Sequence, residues 1–252
     1  MIRLYDKSKI DKNNMMFTGS GLRALLIPVI VEQLLNSFMG MADTMMVSQV
    51  GSAAISAVSL VDSINVLVIQ VFAALATGGT IICSQYLGRK DTEDCNEAAK
   101  QVALTVTVIS VTITALCVIF RTPLLHVTFG QVEADVMADS MIYFLITALS
   151  FPFIALFSAG SAFYRAGGES KFPMSISVLS NLLNIAGNAV LIFGFHLGVA
   201  GAALSTLASR IFCAVVVFYF LRKPKQPIVL SNYFSIRPNF PLIVKILAIG
   251  IP

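Results

Sequence analysis

Charged side chains are scarce in this sequence. Only 12% of its 252 residues are Asp, Glu, Lys or Arg, 57% are hydrophobic, and the mean hydropathy is +0.85. Soluble domains carry roughly 25% charged residues, so the shortage excludes a water-soluble fold. Histidine is scarcer still: His126 and His196 both fall at outer turns and no HExxH is present, which leaves a metallohydrolase without ligands. The cysteines Cys83, Cys95, Cys117 and Cys213 are dispersed and form no CxxC, so neither a disulfide framework nor a zinc site is indicated. Gly40-Met41-Ala42-Asp43 lacks the second glycine of the GxGD motif of aspartyl intramembrane proteases, and with no HExxH this makes an intramembrane enzyme a remote alternative. Strict alternation of polar and apolar residues is missing too, which excludes a membrane β-barrel.

What the chain does have is long uncharged runs. Residues 63–88, 101–120 and 140–164 carry no Asp, Glu, Lys or Arg, and about 20 apolar residues suffice for a helix to cross the hydrocarbon. Residues 172–209 are also free of charge but too long for one crossing, and Gly194-Phe195-His196-Leu197-Gly198 reads as a turn dividing them. The helix after that turn runs on past Arg210 to Leu221, and residues 22–48 form a further span holding Glu32 and Asp43. The expectation is an all-α integral membrane protein, a bundle of six transmembrane helices.

Orientation follows from the basic residues, which favour cytoplasmic loops. Arg3, Lys7, Lys9, Lys12 and Arg23 precede the first span; Arg89, Lys90 and Lys100 separate the second and third; Arg165 and Lys171 separate the fourth and fifth; Arg222, Lys223, Lys225 and Arg237 follow the sixth. All of those ends share one side, so the amino terminus is expected to be cytoplasmic in a multi-pass protein of the cell membrane. The net charge of +4 is explained by these loops and implies no nucleic-acid partner. Glu32 and Asp43 interrupt the first span and no small-residue cleavage site stands out, so it does not read as a signal peptide.

Pro227, Pro238 and Pro241 mark a linker, after which a new apolar segment begins. Ala248-Ile249-Gly250-Ile251-Pro252 resembles Ala24-Leu25-Leu26-Ile27-Pro28 at the start of the first span, each after a basic residue, Lys245 or Arg23. A repeat starting after an even number of crossings keeps its orientation, as in transporters of two parallel halves. The expected organisation is a cytoplasmic segment 1–21, a six-helix bundle 22–222, a cytoplasmic linker 223–239 and the start of a seventh helix 240–252. The missing second half is then the principal partner, beside the lipid bilayer.

Several segments, in order, resemble one family. Pro28, Gln33, Met41-Ala42-Asp43-Thr44 and Gly51 look like the first helix of multidrug and toxic compound extrusion (MATE) transporters. Gly88-Arg89-Lys90-Asp91 is similar to their loop after helix 2, and Arg165-Ala166-Gly167-Gly168 with Lys171 and Pro173 to their loop after helix 4. Asn184, Asn188, Phe193-Gly194, Gly198-Val199-Ala200-Gly201-Ala202-Ala203 and Thr206 resemble the stretch from helix 5 into helix 6. The resemblance implies twelve helices in two pseudo-symmetric bundles, alternating access, and export of small organic cations or drugs in exchange for Na+ or H+, with no other cofactor. A flippase for lipid-linked oligosaccharides, from the same superfamily, is the alternative, although such cavities tend to be more cationic.

An ionisable group inside a membrane helix is a functional candidate by default. Asp43 leads, since its short side chain cannot easily reach the interface. Glu32, Asn36, Gly40 and Asp43 fall close to one face, eleven residues at about 100° each returning nearly to the start. The resemblance implies a coupling-ion site of Asp43, Asn184, Asn188 and Thr206, with asparagine at 188 where many members have aspartate. Asn184 and Asn188 share a helix face by their spacing; gluing helices together is their alternative role. Arg210 lies one turn beyond Thr206 and needs a carboxylate, for which Glu32 is the first choice. Asp62, Asn65, Gln70, Tyr143 and Phe157, with Glu32, Asn36 and Arg210, are the expected cavity-lining groups.

Overall fold

The computed structural model describes residues 19–130, 132–223, 228–230 and 238–250, without the side chains of 19, 20, 22, 36 and 39. Asn36 is therefore outside the described side chains, and Arg3, Lys7, Lys9, Lys12, Lys225 and Arg237 lie outside the described residues. Among the described residues every regular element is helical: α1 (Gly19–Ser48), α2 (Ser52–Gly88), α3 (Thr92–Ile119), α4 (Arg121–Phe129), α5 (Ala134–Leu149), α6 (Phe151–Ala166), α7 (Lys171–Asn188), α8 (Gly198–Leu221) and α9 (Phe240–Gly250). A π-helical segment, Ala189–Gly194, extends α7. By length and composition α1, α2, α3, α7 with its extension, and α8 suit a bilayer crossing; α5 and α6 pass the same test only as a pair, bent by 42° at the break between them, which makes up to six spans.

That break corrects the reading of 140–164 as one uninterrupted helix. Pro152 sits in the first turn of α6, where its missing N–H is harmless, yet its ring opposes continuation of the preceding helix. The Ser150 amide bonds to the Thr147 carbonyl at 3.0 Å, while Phe153 and Ile154 both donate to the Ser150 carbonyl at 3.1 Å, closing one helix and opening the next. The start of α3 is set by capping: Asp91 accepts from the Asp94 amide at 3.1 Å, and Glu93 and Asp94 occupy the positive end of the helix.

Helices α2 and α8 are the axis of the bundle. The former packs against α3, α5, α6 and α9, the latter against α5, α6 and α7, while α1 lies on α7. Lipid tails are as apolar as leucine, so close approach at small residues, and not hydrophobic expulsion, must hold such helices together. Added Cβ atoms at Gly79 and Gly160 would strike Val102 on α3 and Val217 on α8. At Gly78 one would meet the backbone of Gly250 on α9 at 2.8 Å. Exposed Leu26, Ile27, Ile30, Leu34 and Phe38 on α1 suit a hydrocarbon solvent.

Two apolar clusters fill the bundle. One gathers Phe72, Phe151, Phe163 and Leu221, the other Val47, Val61, Phe144 and Val199. The first also takes in Ile228 and Leu230, both buried, so this part of the proline-marked linker is packed against the bundle. The Val229 amide donates to Asn96 Oδ1 at 2.8 Å and the Asn239 amide to Gln101 Oε1 at 3.0 Å. The antiparallel α2–α3 pair brings Cys83 and Cys95 together, both buried, with Cys95 Sγ donating to the Cys83 carbonyl at 3.5 Å. Twelve residues apart in sequence, they are not the isolated thiols expected, although both are free.

Candidate coupling-ion and substrate site

Between the two apolar clusters lies a cavity of about 550 Å³, within the range of small-molecule sites. Its wall is built by α1, α2, the α5–α6 break, α7 and α8, and its charged members are Asp43, Asp62 and Arg210.

Asp43, on the inward face of α1, meets α7. Asn188 Nδ2 donates to Asp43 Oδ1 at 2.5 Å. Asn184 satisfies both ends of its amide when the nitrogen faces Asp43 Oδ1 at 2.8 Å and the oxygen takes the Thr206 hydroxyl and amide, each at 3.2 Å. Both asparagines are fully buried, and Asn188 Oδ1 has no hydrogen-bond partner among the described residues. This convergence depends on Gly187, where a Cβ would strike the Ser205 hydroxyl. Its absence lets α7 and α8 approach until Ser205 Oγ donates to the Asn184 carbonyl at 2.8 Å. Oxygen donors of this kind, one carboxylate with neutral amide and hydroxyl oxygens, suit a hard monovalent cation or a proton. The amides as they stand turn N–H groups to the carboxylate; rotated, they would turn oxygens to a cation in its place.

Asp62 faces the cavity from α2. Asn65 Nδ2 donates to Asp62 Oδ1 at 3.1 Å and the Tyr143 hydroxyl at 3.3 Å. Asn65 and Tyr143 are buried, Phe157 lies at the limit of burial, and the exposed Gln70 completes this wall.

The partner expected for Arg210 needs correction. Glu32, buried and outside the cavity lining, pairs with Arg165 at 3.6 Å. The reason is depth along the bundle: three turns of α1 separate Glu32 from Asp43, which carries it to the level of the last turn of α6, where Arg165 stands. Arg210 instead donates from Nη1 to Ser150 Oγ at 2.6 Å, and Ser150 Oγ donates to the Thr147 carbonyl at 2.5 Å. The guanidinium thus caps the carbonyl end of α5, the negative end of its dipole, and interacts electrostatically with Tyr143, Asp62 and Asp43.

Other lining groups went unnoticed in the sequence, among them Gln33, Ser177, Ser180 and Asn181. Ser177, Asn181, Asn184 and Asn188 are spaced by three or four in an otherwise apolar span, and that polar stripe was a legible signal. Ser150 carried none, because its role depends on the break.

Comparison with known proteins identifies the family. The MatE family profile matches residues 28–190. The chain is 34% identical over 252 residues to "Uncharacterized transporter YisQ" of Bacillus subtilis (strain 168), covering 98% of this chain and 53% of that protein. It is 29% identical over 253 residues to "Multidrug export protein MepA" of Staphylococcus saprophyticus, with the same coverage. A structure described as the outward-facing conformation of a multidrug resistance MATE family transporter of the MOP superfamily superposes with a TM-score of 0.84 at 22% identity, over 92% of this chain and 51% of that one. The chain spans about half the length of the curated relatives it matches. With a family profile over most of its spans and a relative above the identity at which membership is secure, this helical, multi-pass membrane chain belongs to the MatE family, whose members are membrane transporters and not enzymes.

Proposed function

We propose that the chain is one six-span half of a cation-coupled exporter, its amino terminus cytoplasmic, which moves small organic cations out of the cell in exchange for Na+ or H+ by alternating access. The observation that carries this reading is the Asp43 carboxylate held by the Asn184 and Asn188 amides at the wall of the cavity, with Asn188 Oδ1 buried and without a donor. In this reading Asp43 holds the coupling ion with Asn184, Asn188 and Thr206. Binding a cation or proton removes the negative charge that keeps the two amides turned toward α1, and so loosens α1 from α7. A carboxylate that alternates between ionised and neutral states has the differential interaction that a two-state transporter needs.

A flippase for lipid-linked oligosaccharides would share the architecture. The lining has two carboxylates against one guanidinium, which repels a pyrophosphate and favours the exporter.

The test is uptake of a fluorescent organic cation into inverted vesicles holding the full-length transporter that carries this half, with sodium and pH gradients imposed separately. Asp43→Asn keeps size and hydrogen bonding but removes the charge, so export driven by either gradient should collapse while the protein inserts normally. Equal export by Asp43→Asn at matched expression would remove Asp43 as the coupling residue.

A further inference from the structure

Arg210 is the one cationic group in the cavity wall among the described residues, and the coupling-site reading gives it no role. A guanidinium at this depth is costly unless something compensates it. Its close partner is neutral: Ser150 Oγ at 2.6 Å, itself bonded to a carbonyl of the last turn of α5. Among the described residues Arg210 forms no ion pair within 4 Å with Asp43 or Asp62, and its hydrogen bond goes to Ser150. It acts on Asp43 and Asp62 through space, and the hydrogen bonds to both carboxylates come from neutral groups on Oδ1.

The two carboxylates are also built differently. Asp43 sits among the amides and hydroxyl of α7 and α8. Asp62 sits with a phenol, and with an amide whose oxygen, Asn65 Oδ1, is buried and has no hydrogen-bond partner among the described residues. Like Asn188 Oδ1 beside Asp43, this buried acceptor stands next to a cavity carboxylate. With both acids ionised, two negative charges and one positive leave the lining with a net charge of −1. One monovalent cation neutralises it. A second positive charge, whether from another ion or from a dicationic ligand, would stand uncompensated in a medium where uncompensated charge is expensive.

We propose that Arg210 sets the valence of this cavity: held off both carboxylates by Ser150 and the end of α5, it limits the site to one positive charge at a time and selects monocations over dications. This rests on the organic-cation reading above, and it gives exchange a simple basis, since the coupling ion on Asp43 and a monocationic substrate on Asp62 cannot be held together at low cost.

The experiment is equilibrium binding of ethidium and propidium, one phenanthridinium ring with one or two positive charges, to the purified full-length transporter that carries this half, in nanodiscs. The parent should bind ethidium at least as tightly as propidium. Arg210→Gln should shift the affinity ratio toward propidium by about tenfold or more, and Arg210→Lys, which keeps the charge but not the guanidinium geometry, should restore the parental ratio. Asp62→Asn, which leaves the lining neutral, should weaken propidium more than ethidium and covers the case in which Arg210→Gln does not fold. A purely structural Arg210 would weaken both dyes alike, and an unchanged ratio in folded Arg210→Gln, or an unchanged ratio in Asp62→Asn, overturns the proposal. Failure of the parent to bind either dye would overturn the organic-cation reading and this inference with it. Binding with an unmoved ratio would overturn the inference alone.

Discussion

The Glu32–Arg165 pair gives a quantitative test of how the charges around the cavity are distributed. Its atoms are 3.6 Å apart, with the carboxylate side chain 9% exposed and the guanidinium 32% exposed. Two unit charges at that separation attract by about 4.6 kcal/mol at an effective dielectric near 20. Arg165 reaches the surface at the end of α6, so solvent screening and side-chain ordering remove roughly half of that, leaving about 2 kcal/mol of net coupling. A double-mutant cycle with Glu32→Gln and Arg165→Gln should therefore return about 2 kcal/mol, near a thirtyfold change in the unfolding equilibrium. The same cycle with Glu32→Gln and Arg210→Gln should return no more than about 0.5 kcal/mol, the usual limit for residues without shared partners. Equilibrium unfolding in mixed micelles, followed by circular dichroism, supplies the four stabilities of each cycle. A larger coupling of Glu32 to Arg210 than to Arg165 would refute the pairing, and with it the conclusion that Arg210 is free to act on the cavity.

The approach of α7 to α8 is open to an equally direct perturbation. Gly187→Val should destabilise the bundle by about 1–3 kcal/mol through overpacking against Ser205, measured in the same micelle titration; adding Ser205→Gly should recover most of the loss, and no recovery would place the strain elsewhere. Orientation can be checked in intact cells on a background lacking the native cysteines: a cysteine at Lys90 or Lys223 should stay unlabelled by an impermeant thiol reagent and one at Leu197 should react, the reverse pattern inverting the bundle. Shifting the α2–α9 contact is a third test, since Gly78→Ala sets a methyl against the backbone of Gly250, which cannot rotate aside as a side chain can. Protease access to the 223–239 segment should then rise, and an unchanged digestion pattern would count against the packing of α9 on α2.

The spans were legible in the sequence because their signal is long and redundant: a run such as 101–120 has no charged residue, and no other backbone arrangement satisfies its amides in hydrocarbon. The leading coupling-site candidate was legible for a related reason. Asp43 is ionisable where charge is costly, whereas Asn184, Asn188 and Thr206 were implied by the family resemblance, helical spacing adding that the two asparagines share a face. That both amides meet Asp43 while Asn184 also meets Thr206 is a property of three helices. Spacing along one chain reports the face of each and not the depth at which they cross.

Depth is also where the Glu32–Arg210 expectation failed. The eleven-residue spacing put Glu32 on the face of α1 that carries Asp43, yet matching faces do not bring two groups together unless they also lie at one level, and Arg165 occupies the level of Glu32. The counterpart of Arg210 could not be found by searching for acids at all, because the nearest compensation is a hydroxyl and the carbonyl end of a helix that stops at the α5–α6 break. Only the break at Ser150 exposes those carbonyls; an unbroken span would have used them internally. A helix that breaks beside a buried cavity therefore does two things at once. It creates a polar end that must be satisfied, and it supplies the partial negative charge that allows an arginine to remain cationic beside two carboxylates without pairing with either.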